Sequence, residues 1–168
     1  MSFSLIPNIR LNTVFDIKPD MLLRRNIRLL LLDLDNTLAP YSGQPPSDAL
    51  NAWKRELESN GIELFIVSNT KTERAGCFAE AFGVSYLNRA GKPSPKMLRK
   101  AMILRSKNAD ETALVGDQIF TDILGANLCG ITSIIVKPIR LKNPLFALRY
   151  FIEKPFRLLR KREGKKNE

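Results

Sequence analysis

The stretch LLLLDLDNTL, residues 29–38, decides the fold of this chain. Four consecutive leucines without polar alternation are typical of a strand buried on both faces of a parallel sheet, and we predict a strand over residues 27–33. Two aspartates, Asp33 and Asp35, stand at its carboxyl end. Ligands of open α/β sheets bind just beyond such strand ends, and two uncompensated carboxylates there repel each other. A bound divalent cation would relieve that repulsion.

Alternating strand and helix patterns continue through the middle of the chain. Helices are predicted where apolar residues recur at helical spacing and a glycine or a capping residue marks an end. The predicted helices are residues 47–60, 72–82, 94–105 (Ser94 as N-cap, Pro95 at the first helical position) and 119–128, and the further predicted strands are 62–68, 84–86, 112–116 and 131–136. Repeated β-α units of this length predict an α/β fold with a central parallel sheet and helices on both faces.

The composition excludes several kinds of chemistry. The 168 residues contain no histidine, which excludes a Ser-His-Asp triad, a histidine general base and histidine metal ligands. The only two cysteines, Cys77 and Cys129, form no CxxC pair, which argues against a zinc site or a disulfide framework. Catalysis is therefore restricted to carboxylates, lysine, hydroxyl groups and a hard metal ion.

The net charge of +10 is concentrated in the C-terminal part of the chain. Residues 137–168 contain 11 Lys or Arg and 3 Glu, which leaves only +2 for the first 136 residues. A basic tail of this kind favours a polyanionic partner, such as lipid headgroups, nucleic acid or an acidic protein surface. No apolar stretch approaches the roughly 20 residues that a membrane span needs, and we expect no signal peptide.

Polar residues follow the later strands as well. Ser68 and Asn69 come after the second predicted strand, Lys92 lies in a loop before a helix, and Asp117 and Asp122 follow the fourth strand. Each of these features is usually structural when it occurs alone. Together with Asp33 and Asp35, in this order and at one end of a sheet, they predict a single active site.

This set resembles the motifs of the haloacid dehalogenase superfamily of phosphohydrolases. Its four motifs are matched by DLDNT at residues 33–37, by Ser68, by Lys92, and by Asp117 with Asp122. The resemblance covers about residues 27–136 and implies the Rossmann-like three-layer α/β/α fold of that superfamily. The segments LLLLDLDNTL, IVSNT, RAGKPSPK and VGDQIFTDILGAN also resemble the bacterial YqeG family, which is related to the mitochondrial phosphatidylglycerophosphate phosphatases.

The resemblance implies a role for each carboxylate. Asp33 would be the nucleophile that forms an aspartyl-phosphate, and Asp35 would be the general acid and base. Asp35 also favours phosphate chemistry, because superfamily members that cleave carbon–halogen bonds lack it. Mg²⁺ is the implied cofactor, held by Asp33, the backbone carbonyl of Asp35, and Asp117. Asp122 would bind the ion directly or support its ligands.

The resemblance also implies which residues hold the phosphate. Ser68 and Asn69, with nearby backbone N–H groups, would bind phosphoryl oxygens, and Lys92 would neutralise the charge that develops on them. Lys96, one helical turn further along the chain, is a rival for the role of Lys92.

The spacing of the motifs bears on the substrate. About 32 residues separate Asp35 from Ser68, and Lys92 follows Ser68 by 24 positions, so neither interval has room for a cap domain. We therefore expect an open active site. An open site suits a large substrate that covers the site itself: a protein, a nucleic acid, or a lipid lying in a membrane.

The chain is expected to have three parts: an N-terminal arm (1–26) that covers the sheet edge, a phosphatase domain (27–137) and a basic amphipathic tail (138–168). In the tail, Pro155 is expected to split or kink the helical pattern. An apolar stripe is predicted from Leu145, Leu148, Ile152, Phe156 and Leu159, with Arg157, Arg160 and Lys161 away from it. Basic amphipathic helices lie on anionic bilayers, and the alternative is a helix packed on the sheet with a solvated basic end.

These observations lead to one functional hypothesis and two alternatives. The hypothesis is a Mg²⁺-dependent phosphomonoesterase that converts phosphatidylglycerophosphate to phosphatidylglycerol, peripheral on the cytoplasmic face of the cell membrane. The first alternative is a phosphatase for a soluble nucleotide, sugar or protein phosphate. The second is a nucleic-acid-binding module that uses the basic tail, although the tail contains no recognised RNA-binding motif.

Overall fold

The computed structural model describes residues 3–40, 44–71, 73–140 and 144–159. Six strands form one sheet: β1 (Ile9–Arg10), β2 (Leu29–Leu32), β3 (Glu63–Val67), β4 (Ser85–Leu87), β5 (Thr112–Gly116) and β6 (Thr132–Ile135). The α-helices are α1 (Pro19–Leu23), α2 (Asp48–Ser59), α3 (Arg74–Phe82), α4 (Lys96–Leu104), α5 (Leu124–Cys129) and α6 (Pro144–Leu158). All strand pairs are parallel, in the order β1-β6-β5-β2-β3-β4.

The leucines of β2 divide the core into two layers, because successive side chains of a strand point to opposite faces. Leu30 and Leu32 pack in one apolar cluster with buried residues of α2 and α3. Leu29 and Leu31 pack in a second cluster with buried residues of α4 and α5. The predicted three-layer α/β/α fold with a central parallel sheet is therefore confirmed.

The strand order fixes where polar residues meet. The chain runs outward from β2 through β3 to β4 and then returns to β5, on the other side of β2. A crevice forms at the carboxyl ends of strands where the order reverses in this way. β2 pairs with both β3 and β5, so the loops that follow these three strands open into one crevice.

The prediction that Ser94 caps α4 is wrong. The helix begins at Lys96, and Pro95 occupies the N-cap position without a side-chain hydrogen bond. The backbone N–H of Ser94 donates to the carbonyl of Gly91 at 2.9 Å, so Ser94 belongs to the turn before the helix.

The helix predicted over residues 119–128 begins with a π-helical turn, Ile119–Ile123, before α5. The backbone N–H groups of Asp122 and Ile123 both donate to the carbonyl of Gln118, at 3.0 and 3.2 Å. Turns of this wide type are frequent at functional sites.

The described part of the N-terminal arm packs on the sheet edge. β1 pairs with β6, with Ile9 opposite Ile134. Behind it Ile17 is fully buried, and its carbonyl accepts a 3.0 Å hydrogen bond from Trp53 Nε1. The division of the chain at residues 26 and 137 stays a prediction.

The C-terminal helix α6 differs from its predicted form. It is continuous through Pro155, so the prediction of two separate helices is wrong. Pro155 lies on the exposed side of the helix. Proline has no N–H to donate to the carbonyl one turn earlier, and on this side water can bond that carbonyl instead. Arg157 lies away from the apolar stripe as predicted but is buried, while Arg160 and Lys161 fall outside the described residues. None of the described helices is long and apolar enough to cross a membrane.

Candidate active site

Three carboxylates lie together at the carboxyl end of the sheet. Asp33 follows β2 directly, Asp117 follows β5, and Asp122 lies in the π-helical turn. One oxygen from each lies within 4.8 Å of the others, and all three residues are buried. The sequence therefore predicted correctly that these residues meet.

Lys92 is the cation of this cluster. Its Nζ lies 2.6 Å from Asp33 Oδ1 and 2.7 Å from Asp122 Oδ1. Lys92 is 5 % exposed, whereas the rival Lys96 is exposed at the start of α4. The structure thus brings Lys92, and not Lys96, into the cluster.

The cluster carries an excess of negative charge. Burial raises the pKa of Asp33 to about 7, and the nearby Asp122 adds to this rise although Lys92 opposes it. Burial likewise raises the pKa of Asp117 well above its usual value, with Asp33 and Asp122 as further causes and Arg157 opposing. Burial disfavours the charge on Lys92, yet Asp122 and Asp33 raise its pKa above the ordinary value, so Lys92 stays protonated.

Local structure holds Asp122 in place. Its Oδ2 accepts a 3.1 Å hydrogen bond from the backbone N–H of Gln118. Gly116 makes room for it, because a Cβ at that position would lie 2.3 Å from Asp122 Cγ. The Gly-Asp pair of the fourth motif thus places Asp117 and leaves space for Asp122.

Thr37, Ser68 and Asn69 are further polar residues that follow the strands β2 and β3. Thr37 Oγ1 donates to Asp33 Oδ2 at 3.1 Å. Ser68 is buried, and its Oγ accepts from the N–H of Thr70 at 3.1 Å. The side-chain amide of Asn69 bonds the backbone of Lys92 in both directions, at 3.1 Å to its carbonyl and 2.8 Å from its N–H. Phosphate binding by Ser68 and Asn69 stays a prediction.

The Asp35 carboxylate has a different environment. Its Oδ1 forms an ion pair with Arg74 Nη1, and Arg74 Nη2 donates to the carbonyl of Pro40 at 2.6 Å. Both side chains retain some exposure, 14% for Asp35 and 18% for Arg74. Beside Arg74 lies a cavity of about 400 Å³ that Pro45, Cys77 and Phe78 help to line. No pattern in the sequence indicates that Arg74 pairs with Asp35, and its only notable feature there is its place near the start of a predicted helix.

Two residues of α6 reach the site and were missed in the sequence. Glu153 is 1 % exposed and accepts from the N–H of Phe120 at 3.2 Å. Arg157 donates to the backbone carbonyl of Asp117 and pairs with Glu153 at 3.0 Å. The only available signal was their four-residue spacing, which is shared by ordinary surface ion pairs.

The donor set fits a divalent metal ion. Three buried carboxylates face one lysine, so a charge of about −2 remains when all groups are ionised. Oxygen ligands and an anionic pocket are what hard cations such as Mg²⁺ prefer. A divalent ion would also remove the repulsion that raises the pKa values of Asp33 and Asp117.

Comparison with known proteins agrees with this geometry. The family model described as "Mitochondrial PGP phosphatase" matches residues 2–139. The Bacillus subtilis (strain 168) protein named "Probable phosphatase YqeG" is 32% identical over 134 residues, which are 80% of this chain and 78% of that protein. "Ribonucleotide monophosphatase NagD" of Escherichia coli (strain K12) is 33% identical over 87 residues, 46% of this chain and 34% of its own length.

A solved structure supports the fold. It is the cobalt-bound form of the deoxy-D-mannose-octulosonate 8-phosphate phosphatase YrbI from Haemophilus influenzae. The TM-score is 0.53 at 12% identity, covering 79% of this chain and 90% of that one. With the family match over most of the chain, these findings show that the protein belongs to the mitochondrial PGP phosphatase family and is a haloacid dehalogenase-type phosphatase of the YqeG-like group.

Proposed function

We propose that the protein is a Mg²⁺-dependent phosphatase that removes the terminal phosphate of phosphatidylglycerophosphate through an aspartyl-phosphate on Asp33. The observation that carries the proposal is the buried, negatively charged cluster of Asp33, Asp117 and Asp122 at the carboxyl ends of β2 and β5. A structural ion-pair network tends to balance its charges, whereas a metal site retains negative charge for the ion.

Asp33, Asp117 and the backbone carbonyl of Asp35 would hold the ion. When bound, Mg²⁺ counters the repulsion between the Asp33 carboxylate and the phosphate. Both Asp122 oxygens already have partners, Lys92 at one and the Gln118 N–H at the other. Asp122 would thereby orient Lys92 and add negative charge beside the ion. These partners do not exclude it as a ligand, because both oxygens of Asp33 are partnered as well, by Lys92 and Thr37.

The chain's own residues carry the reaction in two steps. In the first, an Asp33 oxygen forms a bond to phosphorus as the ester P–O bond breaks, and Asp35 donates its proton to the departing oxygen. In the second, water attacks phosphorus, Asp35 takes its proton, and the bond from Asp33 to phosphorus breaks to give inorganic phosphate. Lys92 and Ser68 would hold the phosphoryl oxygens, while Asn69 would fix the backbone of Lys92.

The substrate assignment has three supports. The matching family is described by its action on PGP, an abbreviation that we take as phosphatidylglycerophosphate. The described residues place only α2 between β2 and β3, so no cap domain covers the crevice there. The outer face of α6 is apolar, and the residues from 137 onward carry most of the excess positive charge. These features support our proposal of peripheral association with the cytoplasmic face of an anionic membrane.

Arg74 supports a substrate with two phosphates. Its guanidinium lies beside Asp35, the proposed proton donor to the leaving group, and remains partly exposed. The leaving group of phosphatidylglycerophosphate carries a phosphodiester anion, and arginine is a favoured partner for such an anion. Arg74 would bind it in addition to its bonds to Asp35 and the Pro40 carbonyl. We expect Arg74→Gln to raise KM for this lipid more than for p-nitrophenyl phosphate, which has no second anion.

A phosphatase for soluble esters is the second candidate. The likeness to NagD over 87 residues favours it, because the name of that protein describes an enzyme for ribonucleotide monophosphates. The two candidates share the site and differ in what lies beyond the scissile phosphate.

Phosphate release with Mg²⁺ separates the candidates. Phosphatidylglycerophosphate in mixed micelles is compared with glycerol 3-phosphate and nucleoside monophosphates, with Asp33→Asn as the blank. Selective turnover of the lipid supports the proposal, and equal or faster turnover of the soluble esters supports the second candidate. If nothing is hydrolysed and the chain instead binds RNA with a steep salt dependence, the basic tail is the functional element.

A further inference from the structure

The helix α6 is turned with its charges inward. Arg149, Glu153 and Arg157 follow one another at four-residue spacing, and the last two are 1 % and 8 % exposed. On the opposite side Leu148 and Ile152 are 59 % and 55 % exposed. A helix that docks only to bury apolar surface would have the reverse orientation, because its apolar stripe would face the core.

The inward face of α6 bonds the backbone of the active-site loop. Arg157 Nη2 donates to the carbonyl of Asp117 and to Glu153, and its Nη1 donates to the carbonyl of Val136 at 3.2 Å. Glu153 Oε1 accepts from the N–H of Phe120 at 3.2 Å. The pair therefore holds both ends of the segment 117–120, which runs from the end of β5 into the π-helical turn.

The end of α6 is itself fixed to the sheet edge. Arg10, in β1, donates from Nη1 to the carbonyls of Arg157 and Leu158 at 3.0 and 3.3 Å. Phe156 packs against Phe120 with ring centroids 6.2 Å apart. These contacts leave the Arg157 guanidinium little freedom beneath the Asp117 carbonyl.

A buried ion pair adds little net stability, because desolvation offsets much of the attraction. What the pair does supply is orientation, since each of its hydrogen bonds to the loop has a fixed direction. Partners that orient metal ligands affect metal affinity and activity about 10–100-fold when removed.

We propose that Glu153 and Arg157 are positioning residues for the active site, which hold the backbone at Asp117 and Phe120 so that the Asp117 carboxylate faces Asp33 and Asp122. The helix α6 is then part of the phosphatase and not only an appendage. This inference rests on the proposed Mg²⁺ site.

The test uses the full-length chain and three variants. Glu153→Gln/Arg157→Met removes both charges, so no unpaired charge is left buried, but the bond to the Asp117 carbonyl is lost. Arg157→Lys keeps a positive charge beside Glu153 and loses the planar fork that reaches several acceptors. The matched control is Arg149→Met, which also loses a bond to Glu153 on the same helix. Among the described residues, Arg149 meets the loop only through the Phe120 ring, 6.0 Å from its centroid, and no hydrogen bond from Arg149 to the loop backbone is found.

Three quantities are measured for each protein. They are the Mg²⁺ affinity in the absence of substrate, by calorimetry, the Tm, and the turnover of p-nitrophenyl phosphate. For the double variant and Arg157→Lys we expect Tm within a few degrees of wild type, with Mg²⁺ affinity and kcat/KM lowered about tenfold or more. For Arg149→Met we expect the Mg²⁺ affinity and kcat/KM to stay within about twofold of the wild-type values.

Wild-type Mg²⁺ affinity and turnover in both Arg157 variants would overturn the inference and leave the proposed function intact. Equal losses in Arg149→Met would also overturn it, since they would indicate general loosening of the helix. If the wild type itself neither binds Mg²⁺ nor releases phosphate, the proposed function fails and the inference fails with it.

Discussion

Two clusters of buried charge lie on either side of the loop after β5, and they differ in balance. At the strand ends lie three carboxylates, those of Asp33, Asp117 and Asp122, and among the described residues one lysine, Lys92, pairs directly with two of them. In α6 one buried carboxylate, Glu153, faces one buried cation, Arg157, and the partly exposed Arg149 also pairs with it. The unbalanced cluster is costly to bury and fits a cation that the chain does not itself provide, whereas the balanced one is complete. The difference in charge balance thus distinguishes the proposed catalytic cluster from the Glu153–Arg157 pair, which orients the loop beside it.

The largest expected effect comes from removing the nucleophile in the unbalanced cluster. Asp33→Asn should lower kcat by about 10⁴-fold or more, because no other group can form the covalent intermediate. Its Tm should not fall, since the substitution removes one of three mutually repelling carboxylates. Steady-state kinetics and thermal unfolding measure the two effects, with the exposed Asp110→Asn as control. A variant that keeps appreciable turnover contradicts the assignment of Asp33.

The second effect is the response of the unbalanced cluster to metal removal and pH. In the metal-free protein the pKa of Asp33 rises from 3.8 to about 7 on folding. The folded state therefore binds more protons than the unfolded state between these values, and the free energy of unfolding falls as pH rises through them. We expect a loss of the order of a few kcal/mol, because each pKa unit corresponds to about 1.4 kcal/mol.

Mg²⁺ should reverse that loss. Saturating Mg²⁺ should raise Tm more at pH 8 than at pH 5, because protons compete with the ion, and chelation by EDTA should abolish turnover. The measurement is thermal unfolding with and without Mg²⁺ from pH 5 to pH 8. Asp33→Asn is the control, because without the Asp33 carboxylate its stability should depend less on pH. An unchanged Tm at pH 8 argues against the metal site.

A third prediction concerns the space that the cluster needs. Gly116→Ala should cost about 1–3 kcal/mol and most of the activity, because its Cβ would meet Asp122 Cγ at 2.3 Å. Adding Asp122→Ala should restore stability without activity. Gly76→Ala is the matched control: its Cβ would meet the hydroxyl end of the partly exposed Tyr86, which can move away. Denaturant unfolding compares the variants, and a Gly116→Ala protein of wild-type stability would refute this account of the loop.

The smallest effect on the folded protein is expected at the outer face of α6. Leu148→Gln/Ile152→Gln should change the free energy of unfolding by less than about 0.5 kcal/mol per substitution, because both side chains are exposed. Binding to vesicles that contain anionic lipid should weaken about tenfold or more. Vesicle flotation measures this, and turnover of p-nitrophenyl phosphate should be unchanged. If the variant floats with the vesicles as well as the wild type does, the outer face of α6 does not bind the membrane.

The sequence was sufficient for the central part of the molecule. Four leucines in a row identify a strand buried on both faces, and parallel strands present their carboxyl ends together. The meeting of Asp33, Lys92, Asp117 and Asp122 follows from that rule and needs no knowledge of packing. The same rule does not give the Arg74–Asp35 pair, which depends on where α3 begins relative to the loop after β2.

The C-terminal helix shows where sequence patterns become insufficient. The periodicity of α6 identified which residues share a face, but not which face points inward. The usual expectation that the apolar face is buried fails here, because polar side chains of α6 hydrogen-bond the backbone of the adjacent loop at Asp117 and Phe120. Arg157, predicted among the basic residues away from the apolar stripe, is therefore buried in the protein.

The most direct test of the account is a search for phosphate bound to Asp33. Asp35→Asn is mixed with p-nitrophenyl phosphate and Mg²⁺ and quenched in acid, because this leaving group departs without a proton donor whereas the second step lacks its base. Mass spectrometry should find one phosphoryl group on the peptide that contains Asp33, and none in Asp33→Asn/Asp35→Asn. Release of nitrophenol with no phosphorylated Asp33, or phosphorylation of another residue, would contradict the proposed chemistry.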